Sequence, residues 1–288
     1  MSLEQKVAAL VEASDTLTST VNRKITEIDQ KVESATTAIP EAIRENIHRV
    51  VYVDALSGKD SNDGLTGATP VKTLNQAIEL VPNGASGEIL LRPNQTFEVY
   101  RHGVSASEKN LVIGSWGAPS EDSRPVIRAM PTTFNSDTEV SSIFEASSRM
   151  NIKFRQVEIQ TGIVSDHEHY HVYGGSIGNQ INSNYGGFFS RGEGDNELAH
   201  FEVQFIRCTI RQQDFCLFTF NYGHLLLSMS LCKVINEGQN SALCDKDVPK
   251  VIDLNSTTFE GFPEGASLNS MFKLTTNNHI IRENTALA

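Results

Sequence analysis

Ile152-Lys153-Phe154-Arg155-Gln156-Val157-Glu158-Ile159 is the stretch on which the fold turns, because its pattern returns at 203–210 (VQFIRCTI), 227–234 (LSMSLCKV) and 252–259 (IDLNSTTF). In each copy apolar residues alternate across a short strand, two residues turn a corner, and the alternation resumes. Side chains on a strand point to opposite faces in turn, so alternation of this kind marks strands with one buried face. The third members are Phe154, Phe205, Met229 and Leu254; after the corner come Val157, Cys208, Cys232 and Thr257; the last inward positions are Ile159, Ile210, Val234 and Phe259. Equivalent positions lie 51, 24 and 25 residues apart, the first gap matching about two turns of the same period. A repeat of roughly 20–50 residues with strand periodicity indicates a solenoid of stacked strand–corner–strand units. A sandwich with strands at chance spacing is the competing architecture, and four in-phase matches favour the solenoid.

The length, 288 residues, leaves room for one or two domains, and 39% hydrophobic residues with a single Trp suit a narrow core between stacked layers. Net charge is −11, from 24 Lys and Arg against 35 Asp and Glu. A balance this acidic, spread along the chain, disfavours nonspecific binding to nucleic acid or to an anionic membrane. No run approaches the 18 or so apolar residues of a membrane span. Glu4, Lys6 and Glu12 interrupt any basic-then-apolar leader, so the expectation is a chain made in the cytoplasm without a signal peptide. The four cysteines, Cys208, Cys216, Cys232 and Cys244, form no C-x-x-C pair. Cys208 and Cys232 hold the same inward position on successive units, which predicts thiols packed one above the other as small hydrophobes, with a disulfide or metal pair as the alternative.

Residues 3–39 read as one amphipathic helix. Leu3, Val7, Leu10, Ser14, Leu17 and Val21 follow the four-three alternation of a coiled-coil seam, and Val21, Ile25, Ile28, Val32, Ala35 and Ile39 continue it after an extra step of four. Such a stutter locally unwinds a left-handed supercoil without breaking it. At about 1.5 Å per residue the rod spans about 55 Å. A long helix with a polar exposed face needs partners for its seam, and with no second long helix in the sequence those partners are copies of itself; Ile and Val at the seam lean towards three strands. A helix folding back on its own domain is the other reading. Pro40 to Arg44 predicts a break and a short restart, with Pro in the first turn.

Val50 to Asp54 is a β run, followed by the loop Ser57-Gly58-Lys59-Asp60-Ser61-Asn62-Asp63-Gly64-Leu65-Thr66-Gly67 and a predicted helix over 69–81 with Leu74, Ala77, Ile78 and Val81 on its apolar face. This order, YVD…GxDxNDGLT…TPxKTLxxAI, resembles the opening segment of the pectate-lyase-like right-handed β-helix superfamily. Glu88-Ile89-Leu90-Leu91-Arg92-Pro93 as a first rung continues the likeness. So does Leu111-Val112-Ile113-Gly114-Ser115-Trp116-Gly117 with Arg124-Pro125-Val126-Ile127, which is similar to the family's recurrent IxIxSYGxGxxPVI. The resemblance covers about residues 50–260 and implies that the short helix caps the open end of the solenoid. It says little of chemistry, since lyases, hydrolases and binding proteins share the scaffold. The front end, MSLEQKVAALVEASDTLTSTVNRKITEIDQKV, resembles the N-terminal stalk of bacteriophage tail fibres and related contractile-tail particles. Trimeric stalk plus β-helix is the combination found in tail fibres and tailspikes.

Several stretches are candidates for chemistry. Asp60-x-Asn62-Asp63-Gly64 hints at calcium, but its spacing departs from an EF-hand loop, and an Asx-rich turn bonding its own backbone fits better. Asp166-His167-Glu168-His169-Tyr170-His171 would place His167, His169 and His171 on one strand face, where three chains could complete a divalent metal site on a threefold axis; a solvated polar loop is the plainer reading. Tyr173 and Tyr185 lie in a loop rich in Gly and Asn, 173–189, suited to sugar stacking or simply to tight turns. Tailspike depolymerases resembling this family use carboxylates on adjacent rungs, for which Glu158, Glu202, Asp214 and Asp253 are candidates here. No paired-carboxylate signature appears, and the solenoid has room for only seven or eight rungs.

The expectation is therefore a mainly β protein. Its parts are a trimeric coiled-coil stalk over 1–47, a β-helix opening strand, loop and capping helix over 48–85, and a right-handed parallel β-helix over 86–288. In function it is read as a non-enzymatic virion tail fibre or fibre-linking subunit aiding host-surface recognition, with a polysaccharide depolymerase and a baseplate–fibre connector as alternatives. Expected partners are copies of itself, other tail or baseplate proteins, and host polysaccharide or another fibre protein. No cofactor is expected beyond the divalent metal of the His cluster.

Overall fold

The computed structural model describes residues 2–100, 104–105, 108–130, 132–135, 138–140, 143–146, 149–163, 171–172, 175–176, 187–191, 199–219, 223–238, 242–244, 248–274 and 279–287. The protein is mainly β, with a large parallel sheet and an N-terminal helix, and it divides into two compact units, Met1–Ile47 and His48–Ala288.

The first unit is the helix α1, Leu3–Ile47, 45 residues long and therefore about 68 Å. It runs through Pro40, where the sequence predicts a break. Proline costs a helix one hydrogen bond and a steric clash one turn back. The strong helix formers Glu41, Ala42, Arg44 and Glu45 after it favour continuation. Leu3, Val7, Leu10, Ser14, Leu17, Val21, Ile25, Ile28, Val32, Ala35 and Ile39 all lie exposed along this helix. No described helix is long and apolar enough to cross a membrane.

The second unit is built from strands laid side by side in register. One face of its 13-stranded sheet runs His48–Val53, Ser86–Leu91, Asn110–Ser115, Arg149–Arg155, Ala199–Ile206, Gly223–Ser230, Lys250–Glu260 and His279–Leu287, each parallel to the next. A second face runs Thr96–Tyr100, Val126–Met130, Glu158–Gln160, Thr209–Gln212 and Lys233–Asn236, and joins the first through the long strand Lys250–Glu260. A separate sheet of Val104–Ser105, Phe144–Ala146, Gly187–Arg191 and Cys216–Thr219 makes a third set. The chain visits first face, second face and third set in order, then returns to the first face one strand further on.

The inward column explains why this stacks. Val51, Ile89, Ile113, Phe154, Phe205, Met229 and Leu254 pair in register down the first face, all buried. A second column holds Phe97, Ile127, Ile159, Ile210, Val234 and Phe259. The strand Arg149–Arg155 pairs directly with Ala199–Ile206, so the 51-residue gap is one turn carrying a long excursion rather than the two turns its length suggests. On the last described strand, His279–Leu287, Glu283 stands in register with Leu254 and is exposed.

The corners are also stacked. Gln156, Arg207, Leu231 and Ser256 all have positive φ, between 49° and 54°. The N–H groups of the first three reach the next rung: Gln156 to the Ile206 carbonyl (3.1 Å), Arg207 to Ser230 (2.9 Å) and Leu231 to Asn255 (2.9 Å). A left-handed residue in a non-glycine side chain costs about 1–2 kcal/mol, and this ladder offsets it. Inside the corner sit Cys208 and Cys232, both free and buried. Cys232 Sγ donates to the Phe205 carbonyl at 3.3 Å, and burial pushes the Cys208 thiol well above its ordinary value.

The open side of the first strand is covered by the loop that follows it. Tyr52 N–H donates to the Gly64 carbonyl, and the Val71 and Asp54 N–H groups donate to Tyr52 and Val71 carbonyls at 2.8–3.0 Å. Asp60 accepts from the Lys72 and Thr73 N–H groups (2.9 Å each) and Asp63 from Leu65 N–H (3.1 Å), so these carboxylates brace their own loop. Gly64, at φ 68°, has Val51 Cγ1 only 2.8 Å from where a Cβ would stand. The short helix α2, Leu74–Glu79, is capped by Thr73 and buries Leu74, Ala77 and Ile78 in the core. It is shorter than the 69–81 expected because Pro70 and its neighbours belong to the loop ladder.

Asp54, 4% exposed, anchors this end. Burial pushes its carboxyl up, but hydrogen bonds from the Ser57 hydroxyl and N–H, from Gln95 and from Leu56 N–H outweigh it and hold the pKa at about 2. A carboxyl whose pKa falls on folding adds stability above its unfolded pKa, and that stability is lost as pH drops towards the folded value. Asp54→Asn is therefore expected to lose about 2 kcal/mol at pH 7, with mutant and parent converging between pH 4 and pH 2. Urea midpoints across that range test it.

Candidate functional site

Outward positions of the second face carry a cluster of bonded polar side chains. Counting six residues on from the core positions Phe154, Phe205, Met229 and Leu254 gives Gln160, Arg211, Ile235 and Glu260, and these pair in register with Arg128 and Glu98 on the preceding strands. Because neighbouring strands lie about 4.8 Å apart, long side chains of one rung reach the next.

The bonds run across the strands. Arg128 Nε donates to Gln160 Oε1 at 2.8 Å, and Gln160 Nε2 donates to Glu158 Oε1 at 2.6 Å. Arg211 Nε donates to the same Glu158 oxygen at 3.0 Å, and its Nη1 donates to Glu237 Oε1. Gln213 Nε2 donates to Glu237 Oε2 at 2.6 Å. Thus one guanidinium ties together two carboxylates that stand two rungs apart. Their side chains are part-shielded, at 34% exposure for Arg211, 18% for Glu158 and 35% for Glu237. Burial works against the charge on Arg211, but bonding and charge from Glu237 and Glu158 outweigh it and raise its pKa.

Two carboxylates held by a guanidinium, flanked by side-chain amides, can do two things. While the amide N–H groups donate, the carboxylates can accept hydrogen bonds from vicinal hydroxyls in planar, oriented pairs. They can also stabilise the positive charge that develops at a sugar carbon during glycoside cleavage, a reaction run by carboxyl groups roughly 5–10 Å apart. Asp214, half-buried and directly after Gln213, is the nearest further acid in sequence.

The acids singled out from the sequence separate accordingly. Glu158 lies in the cluster. Glu202 and Asp253 lie on the first face: Glu202 pairs with Arg149 at 3.9 Å, and Asp253 stands in register with Ser228 and Arg282. Near Glu202, His200 and His224 stack on adjacent rungs with ring centroids 6.4 Å apart. Sequence reasoning missed Arg211, Glu237, Gln160, Gln213 and Arg128. The signal is present in the sequence, because the period that locates the core and places Glu158 outward also places Gln160 and Arg211 in the same outward row.

His167, His169, Tyr173 and Tyr185 lie outside the described residues. His171 opens a two-residue strand, His171–Val172, paired with Thr138 and Ser176. Among the described residues no group of three or more His, Cys, Asp or Glu is spaced to hold a metal.

No protein-family model and no curated protein matches the chain. Solved structures similar to it include a GH136 lacto-N-biosidase from Eubacterium ramulus, at 14% identity over 88% of this chain and 49% of that one, TM-score 0.38. Another is a rhamnogalacturonan lyase, at 13% identity over 74% and 73% of the two chains, TM-score 0.33. The chain spans about half the length of the first of these. The expectation of a non-enzymatic protein is corrected here: the similar structures named above bear the names of carbohydrate-acting enzymes, at 13–14% identity.

Proposed function

We propose that residues 48–288 act on polysaccharide through the outward row of the second face, as a glycoside hydrolase or lyase, and that copies join through α1 into a homotrimer. This is the plan of a virion tailspike depolymerase. The observation that carries the catalytic reading is the bridging of Glu158 and Glu237 by Arg211 within a row of oriented amides and guanidinium groups. On this reading the second unit is a right-handed parallel β-helix, supported by three sets of parallel strands visited in constant order. Residues 48–85 supply its opening strand, loop and capping helix, and 86–288 its stacked body. The loop 173–189, with Tyr173 and Tyr185, contributes host adhesion, and His167, His169 and His171 from three copies hold a divalent ion. Other tail or baseplate proteins hold the stalk.

The test is incubation with capsular polysaccharides, lipopolysaccharides and polygalacturonate. New reducing ends alone mark hydrolysis. Reducing ends together with the ultraviolet absorbance of an unsaturated product mark elimination. Release from no member of the panel sinks the reading.

The trimer rests on the exposed apolar seam of α1, which has no partner within its own unit. Leu17→Asp would set three charges into one buried layer, where unpaired charge costs several kcal/mol. Light scattering is expected to fall from the trimer's mass to the monomer's, both for this variant and on deletion of residues 1–39. An unchanged mass would count against the seam.

A further inference from the structure

The outward row extends beyond the charged cluster. Glu98 stands in register with Arg128, and two residues further along the same outward face Tyr100 stands in register with Met130. Phe97 and Val99, which alternate with them, point into the core, while Tyr100 is 49% exposed. One exposed tyrosine is ordinary on a protein surface. Its place is what matters: Tyr100 begins a lane that crosses Val126–Met130, Glu158–Gln160 and Thr209–Gln212 and ends at Glu237, just past Lys233–Asn236. Four strand spacings of about 4.8 Å make this lane roughly 19 Å long. A pyranose ring advances a glycan by about one such step.

We infer that a linear neutral glycan lies across these strands, one sugar to a strand, with Tyr100 stacking on a ring at the end remote from Glu158, Arg211 and Glu237. This rests on the second face being a polysaccharide site. The tyrosine ring offers an apolar face for the C–H side of a sugar and a hydroxyl for its rim. Neutrality follows from the row's excess of carboxylates. Arg211 lies between Glu158 and Glu237, Arg128 bonds an amide, Lys233 pairs with Glu260, and Glu98 adds a further negative charge. A polyanion would gain little there and would approach a protein of net charge −11.

The experiment compares wild type, Tyr100→Ala and Tyr100→Trp on the best substrate of the panel, as full polymer and as the shortest oligosaccharide still cleaved. Tyr100→Ala is expected to raise KM for the polymer about tenfold with kcat nearly unchanged, and to leave the short substrate untouched. Tyr100→Trp is expected to restore the polymer KM. An active enzyme whose polymer KM ignores Tyr100→Ala overturns the lane and leaves the polysaccharide reading standing. A best substrate that is polyanionic overturns the assignment of a neutral chain. Cleavage of nothing by wild type overturns the polysaccharide reading itself, and the lane with it.

Discussion

Phe189→Ala is expected to destabilise the second unit by about 3–5 kcal/mol, a large share of the 5–15 kcal/mol that holds a typical domain together. Phe189 is fully buried and joins the third set of strands to the first face. Within its own sheet it stacks on Phe218 at 5.0 Å and on Phe144 at 5.4 Å. Across the core it meets Phe154 edge-on at 6.0 Å and Phe205 at 6.3 Å, both from the first face. Removing the ring leaves a void that neighbours paired in register cannot close without breaking several ladders at once. Phe189→Leu keeps most of the volume and should lose only about 1–2 kcal/mol. Urea unfolding of the full chain measures both. A loss under about 1 kcal/mol for the alanine variant would mean that the third set of strands does not close the core.

The second large effect is catalytic. Arg211→Ala is expected to lower kcat/KM on the best glycan by about 10²–10³, the usual toll of removing one oriented electrostatic group from an active site. Its effect on stability should be modest, about 1 kcal/mol, because the ion pairs it breaks are a third exposed on the Arg211 and Glu237 sides. Arg211→Lys keeps the charge but cannot bond both carboxylates from one planar group, so most of the loss should remain. Glu158→Gln, which leaves one oxygen for Arg211, should match the alanine variant in activity while melting like the parent. If Arg211→Ala melts far lower and its remaining folded fraction works at full rate, the cluster is a brace for the strands and the catalytic site lies elsewhere.

Much of the architecture was legible because strand alternation is local and the core is a column. Phe154, Phe205, Met229 and Leu254 were recognisable as equivalent before any contact was known, and they pair in that order. The corner between Arg155 and Glu158 was equally visible, since two residues are what it takes to shift the alternation from one face to the next. Pro40 misled because a helix-breaking residue was weighed alone, without the helix formers that follow it. The 51-residue interval reads as two turns by length alone, but the chain passes from Glu158–Gln160 to the third-set strand Gly187–Arg191 and on to Ala199–Ile206 within one turn.

The apolar period by itself determined which residues face inward, where the corners fall and which strands become neighbours, because burial of one face leaves a mark on every second residue. Only the tertiary structure decided that Arg211 would gather Glu158 and Glu237, and that Tyr100 would stand on the same surface. Outward side chains are free of the packing that writes a pattern into the sequence, so their association depends on the 4.8 Å stacking of strands that lie 50 residues or more apart in the chain, as Glu158 and Arg211 do.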